Sequence, residues 1–411
     1  MSLIQKHNIL FKNFSYLAAL QIFNVLLPLI LYPYLITHIG SEKYGLVIYA
    51  QSVILYSSVI VNYGFNIFAT KEVAIHWNDK NKLSSIVNTI FLIKFVLFIF
   101  ALLILTILIF SIQSLKNYWY IYYLSTGMLI YEAFVPIWYF LGIEKMKYIT
   151  FINITSRLIL TGFIFIFVNT TGDFWKVPMF NLIGYSVGAL ISIYIVYKRH
   201  GITCKKPKII NIKKYMKSSF PFLLALISRD SYVRATPIII GSFVGLVEVV
   251  YFDLGIKILS AIKSYISVIS QTLYPKISRE KNKYFTRKML YYSFISVLLL
   301  TICIFFASNY IVYFFLNEYN NYASTVLNIL VISSLFILIS NFASQQMLIP
   351  FGYNKIFLLG IVSSMILYFI AMSFIFLTSM GNLITIALIV TLIEIYLAAY
   401  FITFATKYKI I

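Results

Sequence analysis

The sequence predicts an all-α membrane protein with about twelve transmembrane helices arranged in two six-helix lobes. Of its 411 residues, 61% are hydrophobic, whereas about 45–50% is usual for a soluble domain. Only 11% of the residues are charged, and the apolar runs reach about 18 residues or more, which is enough for a helix to cross a bilayer. The runs do not alternate with a period of two, so strands are not expected.

Six apolar runs fall in each half of the chain. The first run is too long for a signal peptide and no small-residue cleavage site follows it, so we expect a retained anchor. Pro28 and Pro33 in the first run, and Pro221 and Pro237 in the seventh, predict kinks because proline lacks a backbone N–H. The predicted spans lie roughly at 15–38, 45–69, 86–110, 118–141, 149–169, 178–198, 218–243, 250–274, 289–315, 323–349, 356–378 and 383–405.

Basic residues in the loops predict the orientation. The chain has 33 Lys and Arg residues and a net charge of +21. Outside the spans, all but Lys43, Lys116 and Lys176 fall in loops on one side, so the positive-inside rule places both termini in the cytoplasm. These residues occupy short loops rather than a folded domain, which argues against nucleic acid as a partner.

The longest predicted cytoplasmic loop, YKRHGITCKKPKIINIKKYMKS, divides the chain into two halves. We predict an N-terminal lobe of residues 1–205 with six spans and a C-terminal lobe of residues 206–411 with six more. An even number of spans in each half makes the halves parallel repeats. Similar segments, FLGIEKMKYITFI and IPFGYNKIFLLGI, follow the fourth and the tenth span and support this arrangement.

Motifs for catalysis, nucleotides and metals are missing from the sequence. It has no Walker A motif, nucleophile elbow or glycine-rich phosphate loop. Its four histidines are scattered without metal-ligand spacing. Cys204 lies in a loop and Cys303 in a span, so no disulfide is expected. The sequence therefore predicts no enzyme, no metal site and no cofactor.

The seventh predicted span contains three charged residues. Arg229 lies about 11 residues into the span, roughly 16 Å deep, which is too deep for easy snorkelling. Asp230 and Arg234 are four residues apart and share a helix face, so their pair either locks the helix to a neighbour or takes part in gating. Arg229 points about 100° away from Asp230 and gains no partner from its own helix. A charge at this depth indicates a function.

Polar residues also recur in other predicted spans. Two stripes on the eighth span are typical of a helix that lines a water-filled cavity; they consist of Lys257, Ser260, Ser264, Ser267 and Gln271, and of Lys263, Ser267 and Ser270. Part of the Lys257 charge can be structural, because Asp253 lies one turn earlier. Shared polar faces in the first, second and tenth spans fit interhelical bonding or sugar binding; they contain Gln21 and Asn24, Gln51, Ser58 and Asn62, and Ser334, Asn341 and Gln345.

Two further cations and two acids also lie within predicted spans, where a charge is costly. Lys94 in the third span and Arg157 in the fifth lie about nine residues inside the cytoplasmic boundary, about 14 Å deep. Each contacts either a cavity or a structural partner. Glu132 and Glu394 are the lone acids of the fourth and twelfth spans. Either acid can counter a cation or take up a proton in a coupled cycle.

Four segments, PYLITHIGSEKYGLV, NYGFNIFATKEVA, FLGIEKMKYIT and LYPKIS, resemble the polysaccharide flippases of the multidrug/oligosaccharidyl-lipid/polysaccharide exporter superfamily, and most closely the Wzx type. The resemblance runs over essentially the whole chain. It implies a V-shaped bundle with a central cavity. It also implies that undecaprenyl-diphosphate-linked O-antigen oligosaccharide moves from the cytoplasmic to the periplasmic leaflet of the bacterial inner membrane for lipopolysaccharide biosynthesis. Membrane lipids, the polysaccharide polymerase and the chain-length machinery then become candidate partners.

The excess of cations in the predicted spans suits this cargo, because a lipid-linked diphosphate brings about two negative charges to membrane depth and a close Arg attracts each by roughly 4 kcal/mol at an effective dielectric of 20. We therefore assign substrate binding to Arg229, Arg234, Lys263, Lys257, Arg157 and Lys94. Gating or coupling is assigned to Asp230, Glu132 and Glu394. Two alternatives remain: a flippase for another lipid-linked glycan, such as a capsule, exopolysaccharide or peptidoglycan precursor, and a drug/cation antiporter of the same superfamily.

Overall fold

The computed structural model describes residues 3–280 and 282–408, and every regular element in these ranges is a helix. Ten helices make up the part before the long central loop, with a 3₁₀ turn at Thr171–Trp175 and a π-helix at Ile195–Arg199. They are α1 (Leu3–Ile39), α2 (Ser41–Asn62), α3 (Phe65–His76), α4 (Lys80–Ser111), α5 (Gln113–Lys116), α6 (Trp119–Ser125), α7 (Gly127–Phe134), α8 (Ile137–Gly142), α9 (Met146–Phe167) and α10 (Lys176–Tyr194).

Six helices follow the central loop, together with a π-helix at Phe342–Leu348. They are α11 (Ile209–Phe243), α12 (Leu246–Glu280), α13 (Lys283–Leu316), α14 (Asn321–Asn341), α15 (Asn354–Leu377) and α16 (Leu383–Lys407). Short polar side chains cap several helices, as expected where the first N–H groups lack a partner. The Asp79 carboxylate accepts from two N–H groups of α4, and the Asn282 side chain accepts from one N–H group of α13.

Ten helical segments in the described ranges are long and apolar enough to cross a membrane. They agree with ten of the twelve predicted spans and confirm an all-helical membrane protein. The other two predicted spans, the seventh and the eighth, lie on α11 and α12, which are continuous helices of 35 residues each. Charged residues interrupt the apolar sequence of both helices, so their crossing of the membrane stays a prediction.

Two of the predicted spans are broken where the backbone requires it. The second breaks between α2 and α3 at Gly64, whose φ is +79°, and a Cβ there would lie 2.6 Å from the Cβ of Phe222. The fourth divides into α6, α7 and α8. Pro136, which has no N–H to donate, separates the last two of these helices.

Contacts divide the chain into two compact units, residues 1–27 with 49–227 and residues 28–48 with 228–411. In this division the first 19 residues of α11 (209–227) belong to the first unit. Packing explains this assignment, because Tyr215 is buried with its ring 5.5 Å from that of Phe68. The predicted lobes of residues 1–205 and 206–411 stay a prediction.

Each unit has its own core. In the first unit, α10 packs on α9 and α7, and Trp138, Tyr139 and Phe140 are almost fully buried. In the second, α14 packs on α12, α13 and α16, and a Cβ at Gly255 would lie 2.6 Å from Leu330 Cδ1. Large apolar side chains project outward from α4 and α13, as is usual for lipid-facing helices, and Phe306 remains 78% exposed.

Candidate functional site

The main cavity of the second unit has a volume of about 510 Å³. Its walls come from α11, α12, α14, the π-helix at Phe342–Leu348, α15 and α16. The polar lining residues are Tyr232, Arg234, Thr236, Ser260, Lys263, Ser340, Asn341, Ser344, Gln345 and Glu394. Four of these, Ser260, Lys263, Asn341 and Gln345, belong to the polar faces that the sequence predicted on the eighth and tenth spans.

Three charged residues line the main cavity among those that the structure describes: Arg234, Lys263 and Glu394. The Lys263 ammonium lies 3.7 Å from Glu394 Oε1. Tyr232 donates a hydrogen bond of 3.1 Å to the same oxygen. Glu394 is only 6% exposed, and a buried carboxylate requires partners of this kind. Two cations and one carboxylate leave the described lining with an excess of one positive charge.

A second cavity of about 380 Å³ adjoins the main one, shares Gln345 and Phe357 with it, and has no charged side chain among its described lining residues. We call it the amide cavity; its lining residues are Ser270, Gln271, Tyr274, Gln345, Ile349 and Phe357. Gln345 lies on the π-helix, a rare form that often occurs at functional sites.

Buried polar atoms next to the amide cavity are incompletely satisfied. Gln346 donates a hydrogen bond of 2.8 Å to the Ser270 carbonyl oxygen. Its Oε1, and the Ser270 hydroxyl, have no hydrogen-bond partner among the described residues. Buried polar groups usually have partners, so these two atoms are exceptions in the wall beside the amide cavity.

Lys257 lies away from the main cavity lining. It forms an ion pair with Asp253 one turn earlier, and its ammonium lies 5.1 Å from the centre of the Tyr32 ring. Tyr32 is itself fully buried and donates a hydrogen bond of 2.6 Å to the Val250 carbonyl oxygen. Lys257 therefore has a structural role, which the sequence allowed because of Asp253, and it also contacts Tyr32 of α1. Its predicted contact with the substrate stays a prediction.

Lys94 and Glu132 form a buried pair in the first unit. The Lys94 ammonium lies 3.1 Å from Glu132 Oε1 and 2.7 Å from the Glu132 carbonyl oxygen. Lys94 is fully buried, and Asn66 donates to Glu132 Oε1 over 3.4 Å. Each of the two lone acids, Glu132 and Glu394, thus contacts a cation.

Arg157, Arg229 and Asp230 complete the predicted site residues. Arg157, on α9, has a buried Nε without a hydrogen-bond partner among the described residues. Arg229 and Asp230 lie on α11, but their side chains are outside the described part of the chain. The predicted pairing of Asp230 with Arg234 and the predicted role of Arg229 therefore stay predictions.

The structure brings three predicted residues together, Arg234, Lys263 and Glu394, and adds residues that the sequence analysis missed. Tyr232 and Ser344 carry no charge and gave no signal on their own. Tyr232 lies two residues before Arg234, a spacing that places the two side chains on different faces of an ideal helix, so the charged residues did not point to it. The aromatic walls, Phe357 and Phe401, resemble ordinary core residues in sequence.

Comparisons with known proteins relate this chain to transporters. A family model described as "Polysaccharide biosynthesis protein" matches residues 10–281. A "Putative O-antigen transporter" of Escherichia coli (strain K12) is 31% identical over 267 residues, which cover 65% of this chain and 64% of that relative. The chain thus spans less than two thirds of that relative's length in the match. A "Putative O-antigen transporter" of Shigella dysenteriae is 27% identical over 353 residues, covering 84% of this chain and 87% of the relative.

Solved structures share the fold at low sequence identity. A multidrug resistance MATE family transporter of the MOP superfamily, in an inward-facing conformation, has a TM-score of 0.71 and 14% identity, covering 95% of this chain and 98% of that one. The lipid II flippase MurJ, in an inward closed conformation, has a TM-score of 0.70 and 16% identity, covering 95% and 87%. These likenesses show that this chain shares the fold of those two proteins.

Proposed function

The chain belongs to the polysaccharide biosynthesis protein family, as its sequence resemblance predicted, and from this premise we propose that it is a flippase for a lipid-linked glycan. The cargo that we propose is an undecaprenyl-diphosphate-linked O-antigen oligosaccharide, moved from the cytoplasmic to the periplasmic leaflet for lipopolysaccharide biosynthesis. The names of both curated relatives support O-antigen, and the fold shared with a lipid II flippase supports a lipid-linked cargo.

The observation that carries this proposal is the main cavity, which is polar and has an excess positive charge among its described lining residues. A diphosphate that enters it meets Arg234, whose planar guanidinium suits two phosphate oxygens at once. It also competes with Glu394 for the Lys263 ammonium. A cation and an anion 4 Å apart attract by roughly 4 kcal/mol at an effective dielectric of 20, enough to offset much of the desolvation of the diphosphate.

The amide cavity fits the glycan part of the cargo. Its polar residues are neutral, and amide and hydroxyl groups can donate to and accept from sugar hydroxyls. Phe357 and Tyr274 offer apolar ring faces. Gln345 and Phe357 line both cavities, so one cargo can present its diphosphate to the main cavity and its first sugar to the amide cavity.

Localisation and partners follow from the same proposal. We place the chain in the bacterial inner membrane with both termini in the cytoplasm, because the loops on that side carry most of the basic residues. Its partners are then the lipid-linked oligosaccharide, membrane lipids, and the polysaccharide polymerase with its chain-length machinery. Transport changes no covalent bond, so the chain acts as a transporter and not as an enzyme.

Two other functions are alternatives, and only the second of them requires a different charge in the main cavity. A flippase for a capsule, exopolysaccharide or peptidoglycan precursor needs the same cationic cavity, and the sugar-nucleotide and glycosyltransferase genes beside its gene would separate these cargos. A drug/cation antiporter favours a negatively charged cavity. The excess of cations over carboxylates among the described lining residues favours the glycan flippase.

A reconstituted transport assay tests the proposal. Proteoliposomes containing the purified chain would receive undecaprenyl diphosphate that carries a tritiated oligosaccharide, and externally added glycosidase would report which leaflet holds the sugar. We expect flipping of the lipid-linked oligosaccharide and none in protein-free liposomes. Export of a cationic dye without flipping of the oligosaccharide would contradict the proposal and favour the antiporter.

A further inference from the structure

An open groove of about 580 Å³ lies in the first unit. Its lining residues differ from those of the two cavities of the second unit. One wall is a single face of α4, because Asn88, Phe91, Leu92 and Phe95 follow one another at helical spacing. Phe134 of α7, together with Ile193 and Tyr197, forms the other wall. From Asn88 to Phe95 the groove follows α4 for about 10 Å at 1.5 Å per residue.

The groove combines an apolar interior with a cationic mouth. Leu92 and Phe95 are 38% and 45% exposed inside it. At the mouth lie Cys204, Lys205 and Lys206 of the central loop, all exposed. Neither lysine pairs with a carboxylate among the described residues. The Lys205 ammonium instead donates a hydrogen bond of 2.7 Å to Asn81 Oδ1, so its charge is not neutralised.

Hydrogen bonds hold the mouth of the groove in place. The Asn88 amide donates to the Thr203 carbonyl oxygen over 2.8 Å and accepts from the Tyr197 hydroxyl over 2.9 Å. The Thr203 N–H donates to the Ser84 hydroxyl over 3.2 Å. The loop is therefore fixed to α4, and a ligand would meet a largely preformed site, which lowers the ordering cost of binding.

Two exposed isoleucines follow the loop. Ile209 and Ile210, at the start of α11, are 71% and 74% exposed. Isoleucines this exposed are stable in the interfacial layer of a bilayer rather than in water. Lysines beside that layer attract anionic headgroups by an amount equal to about a fivefold change in affinity per residue.

We propose that this groove binds an anionic diacyl phospholipid, with its phosphate between Lys205 and Lys206 and one acyl chain along Leu92 and Phe95. The site lies outside both cavities assigned to the cargo, so the inference does not depend on the proposed function. Charge complementarity selects an anionic over a zwitterionic lipid, and the short groove suits an acyl chain better than a long polyprenyl chain.

Cys204 provides a natural reporter at the mouth, and Cys303 on α13, also exposed, provides an internal control. The purified full chain in maltoside micelles would be titrated with dioleoyl phosphatidylglycerol, dioleoyl phosphatidylcholine or undecaprenyl phosphate. Peptide mass spectrometry would then follow N-ethylmaleimide labelling of each cysteine. We expect phosphatidylglycerol alone to slow labelling of Cys204 at least fivefold, with the labelling rate of Cys303 unchanged.

Variants separate the two parts of the site. Lys205→Gln with Lys206→Gln should raise the phosphatidylglycerol concentration for half protection by about fivefold per lysine. Leu92→Trp should abolish protection by filling the groove without touching the charges. Lys213→Gln with Lys214→Gln, which removes two exposed lysines of α11 outside the groove lining, should leave protection unchanged. Equal protection by phosphatidylcholine, protection by undecaprenyl phosphate alone, or none by any lipid would overturn the proposal.

Discussion

Tyr232 on α11 donates a hydrogen bond of 3.1 Å to Glu394 on α16, although the two residues are 162 positions apart in the chain. Lys263 on α12 approaches the same carboxylate oxygen at 3.7 Å. One buried acid therefore connects three helices of the second unit at the wall of the main cavity. A ligand that binds Lys263 comes close to this carboxylate, so Glu394 is well placed to sense the cargo.

Tyr232→Phe should destabilise the second unit because it removes a hydrogen bond to a charged group. Such bonds contribute about 1.5–3 kcal/mol. Tyr368→Phe is the matched control, because it removes a buried hydrogen bond of 2.7 Å to the neutral Thr236 hydroxyl. Thermal unfolding in detergent should show the larger loss for Tyr232→Phe. Equal losses would mean that Glu394 gains nothing from its charge.

Lys263→Gln should lower transport about ten- to a hundredfold for the same amount of protein in the membrane, since it removes one charge-assisted contact with the diphosphate. It should also lower thermal stability, because the buried Glu394 carboxylate loses the cation that lies 3.7 Å from it. Lys257→Gln is the matched control on the same helix, because its ammonium pairs with Asp253 and contacts Tyr32. We expect Lys257→Gln to lower thermal stability more than transport. The measurement is O-antigen display in a flippase-null strain, corrected for the amount of each variant in the membrane. Normal display with Lys263→Gln would remove Lys263 from the proposed site.

Arg234→Ala should reduce transport to a similar extent, and Arg234→Lys should restore only part of it, because lysine cannot bind two phosphate oxygens in a planar fork. Arg229→Ala, on the same helix, extends the test to the residue that the sequence placed deepest in the seventh span. We expect a ten- to a hundredfold loss there too. A well-expressed Arg229→Ala variant with normal polysaccharide would show that this charge is structural.

Breaking the Lys94–Glu132 pair of the first unit should lower stability. Lys94→Met leaves Glu132, whose side chain is 20% exposed, without its cation. Removing one partner of a fully buried pair costs about 3–5 kcal/mol, and the exposure of Glu132 reduces that cost, whereas replacing both partners by apolar residues is often close to neutral. We therefore expect thermal stability to fall for Lys94→Met and to recover in the double variant Lys94→Met/Glu132→Met. Flipping by the double variant at an unchanged dependence on the proton gradient would contradict the predicted coupling role of Glu132.

The helices could be predicted from the sequence because the length of an apolar run is a local property. The breaks at Gly64 and Pro136 depend on packing or on a single proline, so run length alone missed them. The residues of the site were harder to predict, because they contact one another across helices that are far apart in the sequence. Lys263 and Asn341 were found because polar residues recur at helical spacing, but the partners of Glu394 come from two other helices. No pattern within one segment could identify Tyr232 as one of them.

The last prediction concerns pH and His200, which follows the π-helix of the first unit. Burial, together with the smaller effect of the positive charges of Lys145, Arg199 and Lys147, lowers the pKa of His200 to about 4. The folded chain therefore holds His200 neutral, with its Nδ1 3.0 Å from the Tyr139 hydroxyl.

In the unfolded chain His200 has an ordinary pKa of about 6.5, so between pH 6.5 and 4 the unfolded state binds more protons than the folded state. The stability that depends on neutral His200 is fully present above about pH 6.5 and is lost as the pH falls towards 4. The unfolding temperature in detergent should fall between pH 7.5 and 5, and His200→Phe should reduce that fall. His76→Phe is the control, because His76 lies at the end of α3, where its Nδ1 contacts the Glu72 carbonyl oxygen of the same helix. An equal fall for the unmodified chain and His200→Phe would assign the acid sensitivity to other groups.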